Sequence, residues 1–130
     1  MNVEIMNWSS KKFYHQFLYA APSVAERRLS ELEGVVSDPV TQCVLKLYDS
    51  SDQQLDEVKN SSKNAPSYAN LGEAAIVIEY IKKLINRGVS PDQIAVITPY
   101  NYQVLGISCY VIPYVHRKIE EFNVKYAWFH

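Results

Sequence analysis

Cysteine and histidine are scarce in this chain, and their positions exclude several chemistries. The two cysteines, Cys43 and Cys109, lie far apart and match no metal-ligand spacing, so both are expected to be reduced thiols of an intracellular protein. The three histidines, His15, His116 and His130, have no Cys, Asp or Glu partner at ligand spacing; a structural or solvent-exposed role is expected, and no metal site. Long hydrophobic runs are lacking as well. The longest apolar stretch, 104–115, is too short to span a bilayer and contains Pro113. The first eight residues carry Asn2, Glu4 and Asn7 where a secretory leader would be apolar. A soluble chain without membrane association is expected. Nor is there an excess of charge. Thirteen Lys and Arg against 14 Asp and Glu leave a net charge of −1, which excludes a surface that is everywhere a trap for polyanions. Basic residues do occur in pairs, Lys11-Lys12, Arg27-Arg28, Lys82-Lys83 and Arg117-Lys118, with Arg87 besides. These suit either local basic patches or solvated helix faces.

With 130 residues the chain is one domain or part of one, short for a doubly wound enzyme carrying its own cofactor site. Residues 3 to about 19 read as a helix with Ile5, Met6, Phe13 and Phe17 near one side, broken at Ala21-Pro22-Ser23. A short amphipathic turn follows from Ser23 and ends near Gly34. Residues 43–48 read as a strand, and the polar stretch 50–66 as a mobile surface loop. The clearest helix is 70–88. Asn70 suits the N-cap, Glu73 completes a capping-box pattern, Ala74, Val77, Ile78, Ile81, Leu84 and Ile85 repeat at helical spacing, and Gly88 suits the left-handed stop. The run Ile94, Ala95, Val96, Ile97 then reads as a buried parallel strand that must end before Pro99, which cannot donate to a ladder. Strand, helix and strand in this order make a right-handed βαβ unit. Ligands sit at the carboxyl ends of such strands, which puts residues 98–103 where chemistry usually happens.

Three clusters stand out, none of them a catalytic dyad or triad. Ser67-x-x-Asn70-x-x-Glu73 is either a capped helix start or a helix N-terminus aimed at an anion, and Glu73 competes for that field. Thr98-Pro99-Tyr100-Asn101-x-Gln103 offers a hydroxyl, a ring and two amides. It is either a phosphate-holding, base-stacking edge or a plain strand-to-helix turn with Tyr100 as a packing residue. Ser10-Lys11-Lys12-Phe13-Tyr14 is explained by a helix with one wet and one aromatic side.

Taken in order and spacing, these segments resemble part of the second RecA-like domain of superfamily 1 RNA/DNA helicases. The branch is the one that contains the up-frameshift and immunoglobulin-mu-binding helicases. The likeness is carried by MNVEIMNWSSKKFY (1–14), SVAERRL (23–29), CVLKLYDS (43–50), SYANLGEAA (67–75) and GVSPDQIAVITPYNYQV (88–104). Trp8 and Ala-Pro-Ser-Val at 21–24 favour the immunoglobulin-mu-binding type. The resemblance implies an α/β fold, a partial RecA-like (P-loop NTPase-type) domain with a mostly parallel sheet flanked by helices, truncated at both ends. It assigns 1–104 to that domain and leaves 105–130 as a divergent tail, in which Leu105 to Tyr114 shows no helical stripe and 116–122 reads as a short amphipathic helix. An intact relative is an ATP-driven motor using ATP and Mg²⁺, with single-stranded RNA or DNA crossing its two RecA-like domains. Thr98, Pro99 and Tyr100 match the fourth motif, near the nucleic-acid path. Those three and Gln103 are the nucleic-acid-binding candidates, and Ser67, Asn70 and Glu73 the structural motif.

The departures set limits. No Gln-Tyr-Arg precedes Met1, Asn2 stands where the family usually has histidine, and no Val-Asp-Ser/Gly-Phe-Gln-Gly motif follows. The Gly-rich phosphate loop with its Lys and Ser/Thr, the Mg²⁺-holding acids and the late arginine motif are all missing. The expectation is a helicase fragment with no catalytic residue and no bound cofactor of its own. A standalone nucleic-acid- or protein-binding module and a truncated non-functional product are the alternatives. Family membership implies an intracellular address, nucleus or cytoplasm.

Overall fold

Short polar side chains cap the starts of several helices. The computed structural model describes residues 1–60 and 66–121, and these fold as two compact units, Met1–Asp49 with Lys83–Ser90 and Ser50–Lys82 with the residues from Pro91 onward.

In the first unit, Asn2 caps helix α1 (Val3–Phe13): its Oδ1 accepts from the Glu4 N–H at 2.9 Å, while its Nδ2 donates to the Arg27 carbonyl at 2.9 Å. Asparagine at this position therefore serves as a buried cap and tie. The helix stops six residues short of the sequence expectation, because His15 and Gln16 adopt left-handed φ values of 48° and 65°. Of the four apolar residues expected near one side of it, only Met6 is buried; Ile5, Phe13 and Phe17 are exposed. Helix α2 (Pro22–Ala25) opens on Pro22 at its first turn, and a 3-10 turn (Leu29–Glu31) leads to Gly34.

Helix α3 (Pro39–Gln42) is a single turn held by a full capping box. Asp38 Oδ1 accepts from the N–H groups of Val40 and Thr41, and Thr41 Oγ1 accepts from the Asp38 N–H at 3.0 Å and donates to the Val36 carbonyl at 2.6 Å. Thr41 is fully buried, and the other Asp38 oxygen pairs with Arg87. Residues 43–48 correct the expectation of a strand: they form none, and Leu45, Leu47 and Tyr48 are exposed.

In the second unit the only sheet among the described residues is an antiparallel hairpin of β1 (Glu57–Asn60) and β2 (Ser67–Asn70), in the register Glu57↔Asn70 to Asn60↔Ser67. Part of the expected 50–66 loop is therefore a strand; residues 61–65 of that loop lie outside the described residues. The parallel βαβ unit is corrected likewise. Residues 94–97 form no strand, and Ile97 is 93% exposed. An apolar run makes a buried parallel strand only where neighbouring strands supply ladder bonds and cover, and no described segment pairs with this one.

Helix α4 (Leu71–Ile85) follows β2 directly and buries the expected stripe at Ala74, Ile78, Ile81, Leu84 and Ile85. Its end is a Schellman motif. Gly88, at φ +92°, donates to the Ile85 carbonyl at 3.0 Å, and Val89 donates to that of Leu84 at 3.2 Å. A 3-10 turn (Pro91–Gln93) then precedes the exposed segment.

Helix α5 (Asn101–Glu121) corrects the reading of residues 105–114 as non-helical. It runs through Pro113 and takes in 116–121 as well. Gln103 and Ile107 are buried and Val111 and Tyr114 half-buried, a stripe at helical spacing that begins on a polar residue. Residues 122–130 of the tail expected at 105–130, with His130, lie outside the described residues.

Candidate nucleic-acid interface

Two helix starts meet on one strand. Ser67, first residue of β2, accepts with its Oγ from the Tyr102 N–H at 3.1 Å, which caps α5 from a neighbouring element. Asn70, last residue of β2, accepts with Oδ1 from the Glu73 N–H at 3.0 Å and so caps α4. Its Nδ2 donates to the Leu55 carbonyl at 3.1 Å. The expected capping box is only half formed. The Asn70 N–H goes to Gln103 Oε1 at 2.7 Å, and Gln103 Nε2 returns a bond to the Asn70 carbonyl at 3.1 Å.

This side-chain amide pairs with a backbone residue as a neighbouring strand would. Gln103 is 8% exposed and has its carbonyl oxygen and amide nitrogen both committed to Asn70. The two helix starts also receive protein caps, so the anion reading of the α4 N-terminus has the Asn70 carboxamide as a competitor.

Beside this junction lies a groove of about 270 Å³. The hairpin contributes Glu57, Tyr68, Ala69 and Asn70, helix α4 contributes Glu73 and Val77, the exposed segment contributes residues 96–100, and helix α5 contributes Gln103 and Ile107. Thr98, Pro99, Tyr100, Gln103, Asn70 and Glu73 are thus brought together from two clusters that the sequence presents separately; Ser67 caps α5. Tyr100 is 48% exposed, and its ring meets that of Tyr68 edge to face, centroids 5.9 Å apart at 74°. Lys59, the cross-strand partner of Tyr68, holds its Nζ 5.6 Å from the centre of that ring. Thr98 Oγ1 accepts from the Tyr100 N–H at 3.4 Å, a long contact that orients the turn.

Sequence reasoning missed Glu57, Lys59 and Tyr68. The first two fall in the stretch read as a loop, and a four-residue strand with three exposed positions carries too little pattern to reveal itself. Tyr68 sat inside the motif as an unspecified position, although its aromatic character next to a helix cap was a usable signal.

The matched family model is described as an AAA domain and spans residues 1–123. The chain belongs to that family, in the superfamily 1 helicase branch. The match runs beyond Val104 and includes helix α5. Among similar proteins, the rat "DNA-binding protein SMUBP-2" is 38% identical over 104 residues, covering 80% of this chain and 10% of that protein. The "DNA polymerase alpha-associated DNA helicase A" of Saccharomyces cerevisiae is 36% identical over 109 residues, 80% of this chain and 16% of that protein. An "uncharacterized ATP-dependent helicase" of Methanocaldococcus jannaschii is 31% identical over 130 residues, 95% of this chain and 17% of that protein. The chain spans about a tenth to a sixth of the length of these relatives. The family carries a P-loop NTPase-like α/β fold.

Among the described residues no helix is long and apolar enough to cross a membrane, and no group of His, Cys, Asp and Glu is arranged to hold a metal ion. The chain also has no Gly-rich loop bearing the Lys-Ser/Thr pair that cradles a triphosphate.

Proposed function

We propose that this stretch belongs to the second RecA-like domain of an ATP-dependent RNA/DNA helicase, and that Thr98, Pro99 and Tyr100 grip single-stranded nucleic acid. In a complete motor the other half of the ATP and Mg²⁺ site, and the groups that complete this half, come from the first RecA-like domain and from segments not in this chain. Residues 43–48 and 94–97, apolar and outside any described strand pairing, are the segments that join a mostly parallel sheet when its remaining strands are present. An intracellular address, nucleus or cytoplasm, accords with the relatives.

One observation carries the reading: Tyr100 stands half-exposed over a groove, its carbonyl accepting from the Val104 N–H, directly before a helix start tied to the hairpin through Tyr102–Ser67 and Gln103–Asn70. A ring held on rigid elements loses little freedom when a base stacks on it, which is what gives grip without dependence on a long recognition sequence. Gln103 acts here as a positioning residue, because its polar atoms are spent on Asn70 and its role reaches the ligand through the placement of Tyr100. In fluorescence anisotropy with a labelled single-stranded oligonucleotide at two salt concentrations, Tyr100→Ala is expected to cost roughly 1–3 kcal/mol of binding. The wild type is expected to weaken as salt rises. Binding that ignores both changes rejects the assignment.

A further inference from the structure

The wall of the groove has the wrong charge for a phosphate. Glu57 on β1 and Glu73 on α4 both line it, and among the described residues neither a lysine nor an arginine does. A carboxylate repels phosphate oxygens but accepts hydrogen bonds from amino groups. Apart from Asn70, Thr98 and Gln103 the rest of the lining is aromatic and aliphatic, with Tyr68 and Tyr100 edge to face at 5.9 Å and Val77 and Ile107 in the same groove. What suits such a wall is flat, apolar on its faces and supplied with donors at its edge. The hairpin's Lys59 is outside the lining, over the Tyr68 ring, where a backbone phosphate can meet it while a base enters.

We infer that the groove is a nucleobase pocket: an unpaired base stacks on Tyr100, Tyr68 backs that ring, and Glu57 and Glu73 accept from the exocyclic amino group of the base. This rests on the reading of residues 98–100 as a nucleic-acid contact and adds a selectivity to it. Cytosine and adenine present an amino group at the Watson–Crick edge. Thymine and uracil present carbonyl oxygens on both sides of a single N–H, so a carboxylate there faces lone pairs. Strands rich in cytosine are therefore preferred to strands of thymine or uracil, although stacking alone is nearly indifferent to base identity.

The test compares labelled oligo-dC and oligo-dT of equal length by anisotropy, using the full chain, Tyr100→Ala, and the double variant Glu57→Gln/Glu73→Gln. A preference for dC of at least about threefold, abolished in the double variant, is the expected result. Binding that depends on Tyr100 but is equal for dC and dT overturns the base selectivity and leaves the nucleic-acid reading standing. No binding by the wild type, or binding indifferent to Tyr100→Ala, overturns both. Photo-cross-linking of the wild type to an oligonucleotide carrying 5-iododeoxycytidine needs no variant to fold. Adducts on Tyr68 or Tyr100 support the pocket, and adducts confined to other residues overturn it.

Discussion

Gln103 shows how one side chain stands in for a strand. Asn70 is the last residue of β2, and its N–H and carbonyl find their partners on Gln103. Gln103→Leu keeps the volume but strands both backbone groups at a buried position. The expected loss is about 1–3 kcal/mol for each group left without water or a partner, read as a lower urea midpoint with an unchanged slope. A variant as stable as the wild type would show that solvent replaces the amide. Asp38 makes a different prediction. The hydrogen bond from the Arg87 guanidinium is the main cause holding its carboxyl below the ordinary aspartate range, the Thr41 and Val40 N–H groups and the charge of Arg87 adding to it against the effect of burial. A depressed folded pKa contributes stability above the unfolded value of about 3.9, and that contribution disappears as pH falls through the folded value. Asp38→Asn should therefore lower stability at neutral pH and flatten its decline on the acid side, and a parallel decline in both proteins would refute the linkage.

Among the elements, α4 was the most legible and α5 the least. Helix α4 announces itself with a cap, an apolar stripe and a terminal glycine, three local signals that agree. Gly88 is needed twice: its φ is +92°, and an added Cβ would lie 2.1 Å from the Gly34 carbonyl oxygen. Gly88→Ala should cost more than about 1 kcal/mol, beyond the ordinary effect of an alanine in the left-handed region, measurable as a drop in thermal midpoint. A neutral result would mean that the Gly34 turn moves aside at little cost. Helix α5 was misread for two reasons. Its buried stripe starts on glutamine, so apolar periodicity has no first position, and Pro113 reads as a breaker although a long helix can absorb one missing N–H. Helix α1 was overextended because nothing in the apolar pattern forewarns of left-handed backbone at His15 and Gln16.

For the whole molecule, the missing phosphate loop and arginine motif lead to a prediction about turnover. The 130-residue chain should hydrolyse no ATP in response to single-stranded nucleic acid, and release of phosphate above that of a boiled control would refute it. Family membership could be read from the order and spacing of the motifs, and the capped helix 71–85 from its own residues, because caps, glycine stops and helical stripes are local physics. Other features could not be read this way. Whether residues 94–97 lie in a sheet depends on partner strands, and an apolar run is the same string of letters with or without them. The Tyr68–Tyr100 contact and the use of Gln103 as a structural clasp arise from pairings between residues more than 30 apart in the chain, and the acidic wall sets Glu57 of β1 beside Glu73 of α4. Such pairings exist only after the hairpin and α5 have packed, since it is packing, and not local preference, that brings distant groups within bonding distance.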